Sequence, residues 1–454
     1  MIFSKDNITA LLVVIGLFIQ QSLALTNTSP PTPELIDFDD DGVVGGLYRP
    51  AEANGKSRIA VYVMHAEQDY LSFSACTELP KRGFTTFCAN NDASKSGYMS
   101  DLNFEDMMTD VNQGMIYLRN LSEIDQVVIL GHSGGGAMMA AYQNIAENGA
   151  SACQGSEKIY PCSDAMENLE AADGLILIDA NYGISTMALL SLNPAIIDES
   201  TGSKINQSLN LFNTTNGFCN NTRSKYTTEF KKNFQNGVVA RNNRILKYAQ
   251  HRLAEIEAGR GKYGDDEPFT IVDSLYTGFN NKFFAQDTRY LAHTTHAWPL
   301  LHKNGTTRQV VPSVRVASNF NSLATNFQDG ALKTTIKRYL STFAIRIDEN
   351  FAYKADGLDG IEYASSQLAP VASIRGVNVP LLTMGNTGHW EYLNAEKLHL
   401  NAGSNDSSIA FVEGAQHTLE TCTACESYPG QFGNTMDTAY NYMEQWLQTE
   451  GRFV

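Results

Sequence analysis

Ser133 stands in Gly131-His132-Ser133-Gly134-Gly135, between the apolar stretch Val127 to Leu130 and the helix-compatible run Ala137 to Asn144. A sharp strand-to-helix turn forces such a serine into strained dihedrals. Only glycine two residues to either side avoids a clash between strand and helix, and the helix N-terminus behind the turn favours negative charge near the hydroxyl. The plainer reading is a glycine-rich turn around a buried serine, which the flanking strand and helix disfavour. A serine hydroxyl is a poor nucleophile near neutral pH and needs a positioned base. Of the nine histidines, His417 lies directly after the last apolar strand and ahead of the C-terminal helix. His132 adjoins the serine, but on a turn its side chain points away, which suits a structural role. His293, His296 and His302 fall in a loop-like region without cysteine or carboxylate at ligand spacing, so they read as scattered polar residues.

These residues need elements to hold them. Arg58 to His65, Phe84 to Ala89, Val127 to Leu130 and Gly174 to Ile178 read as buried strands. Asp69 to Leu79 and Asp106 to Leu118 read as the helices between them, the second with Met107, Val111, Met115 and Leu118 on one face. Strands alternating with helices predict βαβ units and a mostly parallel sheet with helices on both faces. The pattern stops at about Tyr182. Amphipathic helical stretches follow at Tyr226 to Ala258 and Ala331 to Arg346, where Leu332, Ile336, Tyr339 and Phe343 share a face. Strands resume at Val379 to Met384 and Ser408 to Val412. A last helix carries Asn434 as N-cap and Met436, Tyr440, Met443 and Leu447 inward. The expected organisation is a leader over 1–24, a core over 25–181 and 373–454, and a mainly helical cap over 182–372.

The chain of 454 residues is 43% hydrophobic and 18% charged, with a formal net charge of −16. That composition is globular, and the acidic balance argues against nucleic acid, whose binding draws on Lys and Arg. Lys5, the apolar run Ile8 to Ile19, and Ser22 and Ala24 before a cleavage point after Ala24 read as a signal peptide. The run is shorter than the roughly 20 residues of a membrane span, and no later stretch is apolar enough. Seven Asn-X-Ser/Thr sequons follow, at Asn27, Asn120, Asn206, Asn213, Asn220, Asn304 and Asn405, and their asparagines are expected at the surface. Seven cysteines in an oxidising compartment suggest disulfides. Proximity pairs Cys76 with Cys88, Cys153 with Cys162 and Cys422 with Cys425, leaving Cys219 free.

Gly131 to Gly135, the strand Ile59 to His65 before it, and Glu413-Gly414-Ala415-Gln416-His417 together resemble the α/β-hydrolase superfamily over about Arg58 to Asn181 and Val377 to the end. The resemblance implies that fold, acyl-serine chemistry on Ser133 and His417, and the chain order serine, acid, histidine. Two acids are open: Asp179, where some lipases place theirs, and Glu391, beyond the usual position, which here is Gly388. The implied oxyanion hole uses the N–H groups of Gly134 and Ala66. Residues 182–372 resemble the caps of secreted esterase-like members. The resemblance implies no particular substrate, because the fold hosts esterases, lipases and peptidases alike; a small-molecule ester is the expected one. An acyltransferase with the same triad and a catalytically inactive binding protein are the alternatives. No metal or organic cofactor is implied.

Overall fold

The computed structural model describes residues 32–38, 43–95, 102–276, 281–318 and 330–453. The expected leader and the Asn27 sequon lie outside them. A ten-stranded sheet runs through the protein in the order β1-β2-β4-β3-β5-β6-β13-β14-β8-β9. Its first members are β1 (Glu34–Asp37), β2 (Val44–Tyr48), β3 (Ile59–Met64), β4 (Thr85–Asn90), β5 (Gln126–His132) and β6 (Gly174–Ile178). After a long insertion come β13 (Leu381–Asn386) and β14 (Ser407–Val412), while β8 (His293–His302) and β9 (Gly305–Pro312) are supplied by the insertion itself. From β4 to β8 every neighbouring pair is parallel; β1, β2 and β9 are antiparallel additions at the edges.

Strands β3, β4, β6 and β13 are buried along their whole length, because helices cover both faces. On β3, Ala60, Tyr62 and Met64 pack to one side with Met107, Met115, Met138 and Met139 from helices α2 (Phe104–Arg119) and α3 (Gly134–Asn148). Ile59, Val61 and Val63 pack to the other with Cys76 and Leu79 of α1 (Ala75–Lys81) and Met443 and Leu447 of the C-terminal helix Thr435–Leu447. Each fully buried aliphatic side chain contributes about 1.5–3 kcal/mol. The expected N-cap stands: the Asn434 side chain accepts the Asp437 N–H. Helix α1 begins six residues later than the sequence suggests, because Asp69 folds the preceding segment into a turn by accepting the Leu71 N–H and the Asn90 side-chain amide.

Register sets the site. His132 on β5 lies beside Ile178 on β6, Ile178 beside Met384 on β13, and Met384 beside Ala410 on β14. Ser133 and Asp179 therefore leave the sheet side by side at its carboxyl edge.

The insertion differs from the expected mainly helical cap, since six of the fourteen strands among the described residues lie in it. Its helices include α4 (Ile184–Leu190) and the 30-residue α5 (Thr228–Glu257), which buries Phe230, Phe234, Val238, Ile245 and Ala249 along one face. Its strands are β7 (Pro268–Ile271) paired with β10 (Leu332–Thr335), β11 (Arg346–Tyr353) paired with β12 (Leu358–Glu362), and the β8–β9 hairpin. Of the helix expected over Ala331 to Arg346, Leu332–Thr335 is strand and Ile336–Phe343 is helical. Leu332 pairs with Ile271, and the Thr335 side chain caps a short turn from Ile336 by accepting the Arg338 N–H. Ile336, Tyr339 and Phe343 are buried as the spacing predicts.

Cys76–Cys88, Cys153–Cys162 and Cys422–Cys425 are disulfides and Cys219 is free, as proximity suggested. Five of the six described sequon asparagines are exposed and Asn213 is half-buried. Among the described residues no helix is long and apolar enough to cross a membrane.

Candidate active site

Ser133 has φ 54° and ψ −124°, a conformation that L-residues rarely adopt, and it directly precedes α3. Such strain of about 1–3 kcal/mol persists where the surroundings impose it, and here glycines do. A Cβ on Gly131 would sit 2.6 Å from the Gly135 carbonyl oxygen, and one on Gly135 would sit 2.5 Å from that of Met64. The helix thus starts in contact with the end of β3, whose loop carries His65 and Ala66. The Gly134 N–H, in the first turn of α3, has no partner within the helix.

Asp179 follows β6 directly and is fully buried, with φ 42°. Its Oδ1 accepts the Asn386 N–H at 3.0 Å, and its Oδ2 accepts Nδ1–H of His417 at 2.6 Å and of His389 at 3.0 Å. Burial alone would push the carboxyl up, but the hydrogen bonds from His389 and His417 outweigh it and hold Asp179 well below the ordinary carboxylate range. His417 is pushed down by burial and by the neighbouring His389, with Asp179 opposing. Glu391 lies at the opposite nitrogen: its Oε2 is 3.5 Å from His417 Nε2. Burial first, and the Asp179 charge second, raise the Glu391 carboxyl well above its usual range, while Lys282 acts against them. The two acid candidates thus flank one imidazole, Asp179 on Nδ1 and Glu391 on Nε2. The Ser133 hydroxyl has no hydrogen-bond partner among the described residues; catalytic hydrogen bonds are often long before substrate binds.

His132 does turn away from the serine, into a structural task. Its Nε2–H donates to the His417 carbonyl at 2.6 Å and its Nδ1 accepts the Tyr70 hydroxyl at 2.5 Å. Burial, with the nearby His417, pushes it down to about 3, so it stays neutral. The Asn386 side-chain amide donates to the same carbonyl at 3.1 Å, which fixes the His417 backbone from two sides. His302, at the end of β8, pairs with Glu413, and His293 and His296 lie nearer its start.

Three participants escaped the sequence reading. His389 shares Asp179 with His417, their ring centroids 4.1 Å apart, and nothing in its local sequence marks it. His65 opens the loop after β3; its Nδ1 accepts the N–H groups of Glu67 and Gln68, so the proton is on Nε2. That Nε2–H is buried without a partner, 3.2 Å from where a Gly134 Cβ would be. Lys282, in the insertion, is fully buried, donates to the Ser191 hydroxyl and the Tyr276 carbonyl, and is pushed down to about 7 by burial.

The sequence matches no family model and no curated protein. Among solved structures the chain is similar to Est1E from Butyrivibrio proteoclasticus (9% identity, 92% of this chain and 97% of that one, TM-score 0.39). It is also similar to a soluble variant of monoglyceride lipase from Saccharomyces cerevisiae (14% identity, 93% and 96%, TM-score 0.36). A third is the acylaminoacyl peptidase of Pyrococcus horikoshii (10% identity, 94% and 43%, TM-score 0.40). With β1-β2-β4-β3-β5-β6-β13-β14 in sheet order, a strained serine between β5 and α3, and an acid and a histidine after later strands, this chain has the α/β-hydrolase fold.

Proposed function

We propose that the protein is a secreted serine hydrolase that cleaves a carboxylic ester through an acyl-serine intermediate. The observation that carries this reading is the strained Ser133 elbow beside a buried Asp179 whose Oδ2 holds Nδ1 of His417 at 2.6 Å. Asp179 is the triad acid, because a carboxylate on Nδ1 leaves the Nε2 lone pair free to accept a proton. His417 Nε2 takes the Ser133 proton as Oγ attacks the ester carbonyl carbon. The carbonyl π pair moves onto oxygen, where the N–H groups of Gly134 and Ala66 receive it, joined by the orphan Nε2–H of His65. Collapse expels the alcohol, which leaves with the proton from His417. Water then repeats the sequence on the acyl-serine and regenerates Ser133.

Residues 182–372 serve as the cap that shapes the ester pocket. Contacts with both loops beside the serine support this: Tyr276 donates to Glu67 at 2.5 Å, Phe284 packs on Trp390 at 4.8 Å between ring centroids, and the Val314 N–H donates to the Thr387 carbonyl. Secretion and glycosylation are supported by the leader-like start, the surface sequons and three disulfides.

A fluorophosphonate probe tests the chemistry, and p-nitrophenyl esters from acetate to palmitate test the substrate class. Labelling of the native protein at Ser133, absent in Ser133→Ala, together with turnover of at least one ester is expected. An unlabelled serine in folded protein would favour an inactive binding protein. Labelling with acyl transfer to an added alcohol in preference to water would favour an acyltransferase.

A further inference from the structure

The acyl-transfer scheme uses Asp179 and His417 and leaves His389 and Glu391 without a task. The Glu391 side chain is 4% exposed and its Oε2 has no hydrogen-bond partner. An ionised carboxylate in such a place costs several kcal/mol unless a cation compensates it. Lys282 does not do so by direct contact, since its ammonium is engaged with the Ser191 hydroxyl and the Tyr276 carbonyl.

The distance from Glu391 Oε2 to the His417 ring is informative. His417 Nε2 stands 3.5 Å away, longer than a good hydrogen bond of about 2.7–3.2 Å. It is the spacing of two ligands on one tetrahedral ion: donors each about 2.0–2.1 Å from zinc lie roughly 3.4 Å apart. Donor atoms of Asp179, His389, Glu391 and His417 all fall within 4.8 Å of one another. Asp179 also holds the Nδ1–H of His417 at 2.6 Å, which is how a carboxylate orients an imidazole that binds metal through its other nitrogen. Imidazole nitrogens with carboxylates suit Zn²⁺, whereas Ca²⁺ and Mg²⁺ prefer oxygen ligands in larger number.

We propose that Asp179, His389, Glu391 and His417 form a site for one Zn²⁺ ion that reversibly inhibits the protein. The ion is coordinated by His417 Nε2, the Glu391 carboxylate and the free ring nitrogen of His389, while Asp179 stays on the Nδ1–H groups of both histidines and orients them. It displaces any proton those atoms carry and forms no bond to Ser133. Inhibition follows because the Nε2 lone pair that must accept the Ser133 proton is engaged by the metal. That inhibitory half rests on the hydrolase reading; the binding half does not.

The test is calorimetric titration of ZnCl₂ into Ser133→Ala protein, with CaCl₂ and MgCl₂ as controls. One zinc per chain is expected, with affinity lowered at least tenfold when Glu391→Gln or His389→Gln is added, in proteins whose circular dichroism and Tm certify the fold. No saturable zinc binding, binding unchanged by both replacements, or equal binding of Ca²⁺ would overturn the site. On the native protein, zinc should abolish ester turnover at the midpoint seen by calorimetry, and EDTA should restore it. Zinc binding without ester turnover in the metal-free protein would leave the site standing and sink the hydrolase reading. Turnover indifferent to bound zinc would sink the inhibition alone.

Discussion

Around Ser133 the chain is positioned by missing side chains, whereas the insertion between β6 and β13 is positioned by buried charged ones. Gly131, Gly135 and Gly136 let α3 start against β3 and β6 at distances no Cβ would allow: one on Gly136 would meet the Ala180 Cβ at 2.3 Å. In the insertion, Arg241 is 1% exposed, pairs with Glu199 and donates to the carbonyls of Asn193, Val272 and Asp273. Arg315 similarly gathers the carbonyls of Leu291, Phe284 and Tyr290. Steric closeness fixes a nucleophile within a narrow range, while a guanidinium with several acceptors ties irregular segments together without a regular ladder. The difference predicts that core changes strike chemistry first and insertion changes strike stability or ester choice first.

The largest expected effects are at the triad. Ser133→Ala and His417→Ala should each cut kcat by on the order of 10³ to 10⁶, with the double replacement little worse than either, because the residues act as one unit. Asp179→Asn should cost about 10⁴, since an amide on Nδ1 selects the wrong tautomer. Glu391→Gln leaves the Nδ1 partner in place and should cost far less. A reversed ranking of Asp179→Asn and Glu391→Gln in steady-state kinetics would transfer the acid role to Glu391.

The sequence could not separate those two acids for a physical reason: both are in the site, on opposite nitrogens of one ring, and only distance tells them apart. What was legible follows burial. Strands β3, β5, β6 and β14 read correctly because they are largely covered on both faces and carry apolar runs, and β4 read from Phe84 and from Phe87 to Ala89 despite its two threonines. β8 was illegible, because its His, Thr and Pro residues sit on a largely exposed hairpin with no period-2 pattern, and it joins the sheet only at Leu300 and Leu301 beside Phe411 and Val412. His389 reaches Asp179 across 210 positions of sequence, a separation at which no local pattern carries a signal.

Two replacements set the halves against each other. Gly135→Ala should destabilise by about 1–3 kcal/mol or more, as overpacking does, and should abolish probe labelling even in protein that remains folded, because the elbow must shift off the Met64 carbonyl. Arg241→Met should cost about 1–3 kcal/mol in chemical denaturation by leaving the buried Val272 carbonyl without its donor, while Glu199 keeps Arg244. Below its lowered midpoint it should still label at Ser133. Equal loss of labelling in both, at matched folded fraction, would erase the distinction drawn between the two regions.

The effect with no bearing on catalysis lies where the regions meet. Glu67, in the loop after β3, accepts the Tyr276 hydroxyl from the insertion at 2.5 Å, and burial, opposed by that hydrogen bond, pushes its carboxyl from 4.5 up to about 7. Between those values the folded protein keeps a proton that the unfolded chain has released. The folded state then binds more protons, so stability falls as pH rises. Glu67 therefore contributes its full share below pH 4.5 and loses it as pH passes about 7, with a slope of at most about 1.4 kcal/mol per pH unit for one proton. Glu67→Gln should flatten this part of the denaturation profile relative to the native chain. Tyr276→Phe removes a hydrogen bond that favours the ionised form, and should move the same fall to higher pH. If subtracting the Glu67→Gln profile left no slope between pH 4.5 and 7, the junction would be electrostatically silent, and the loop bearing Ala66 would answer to sterics alone.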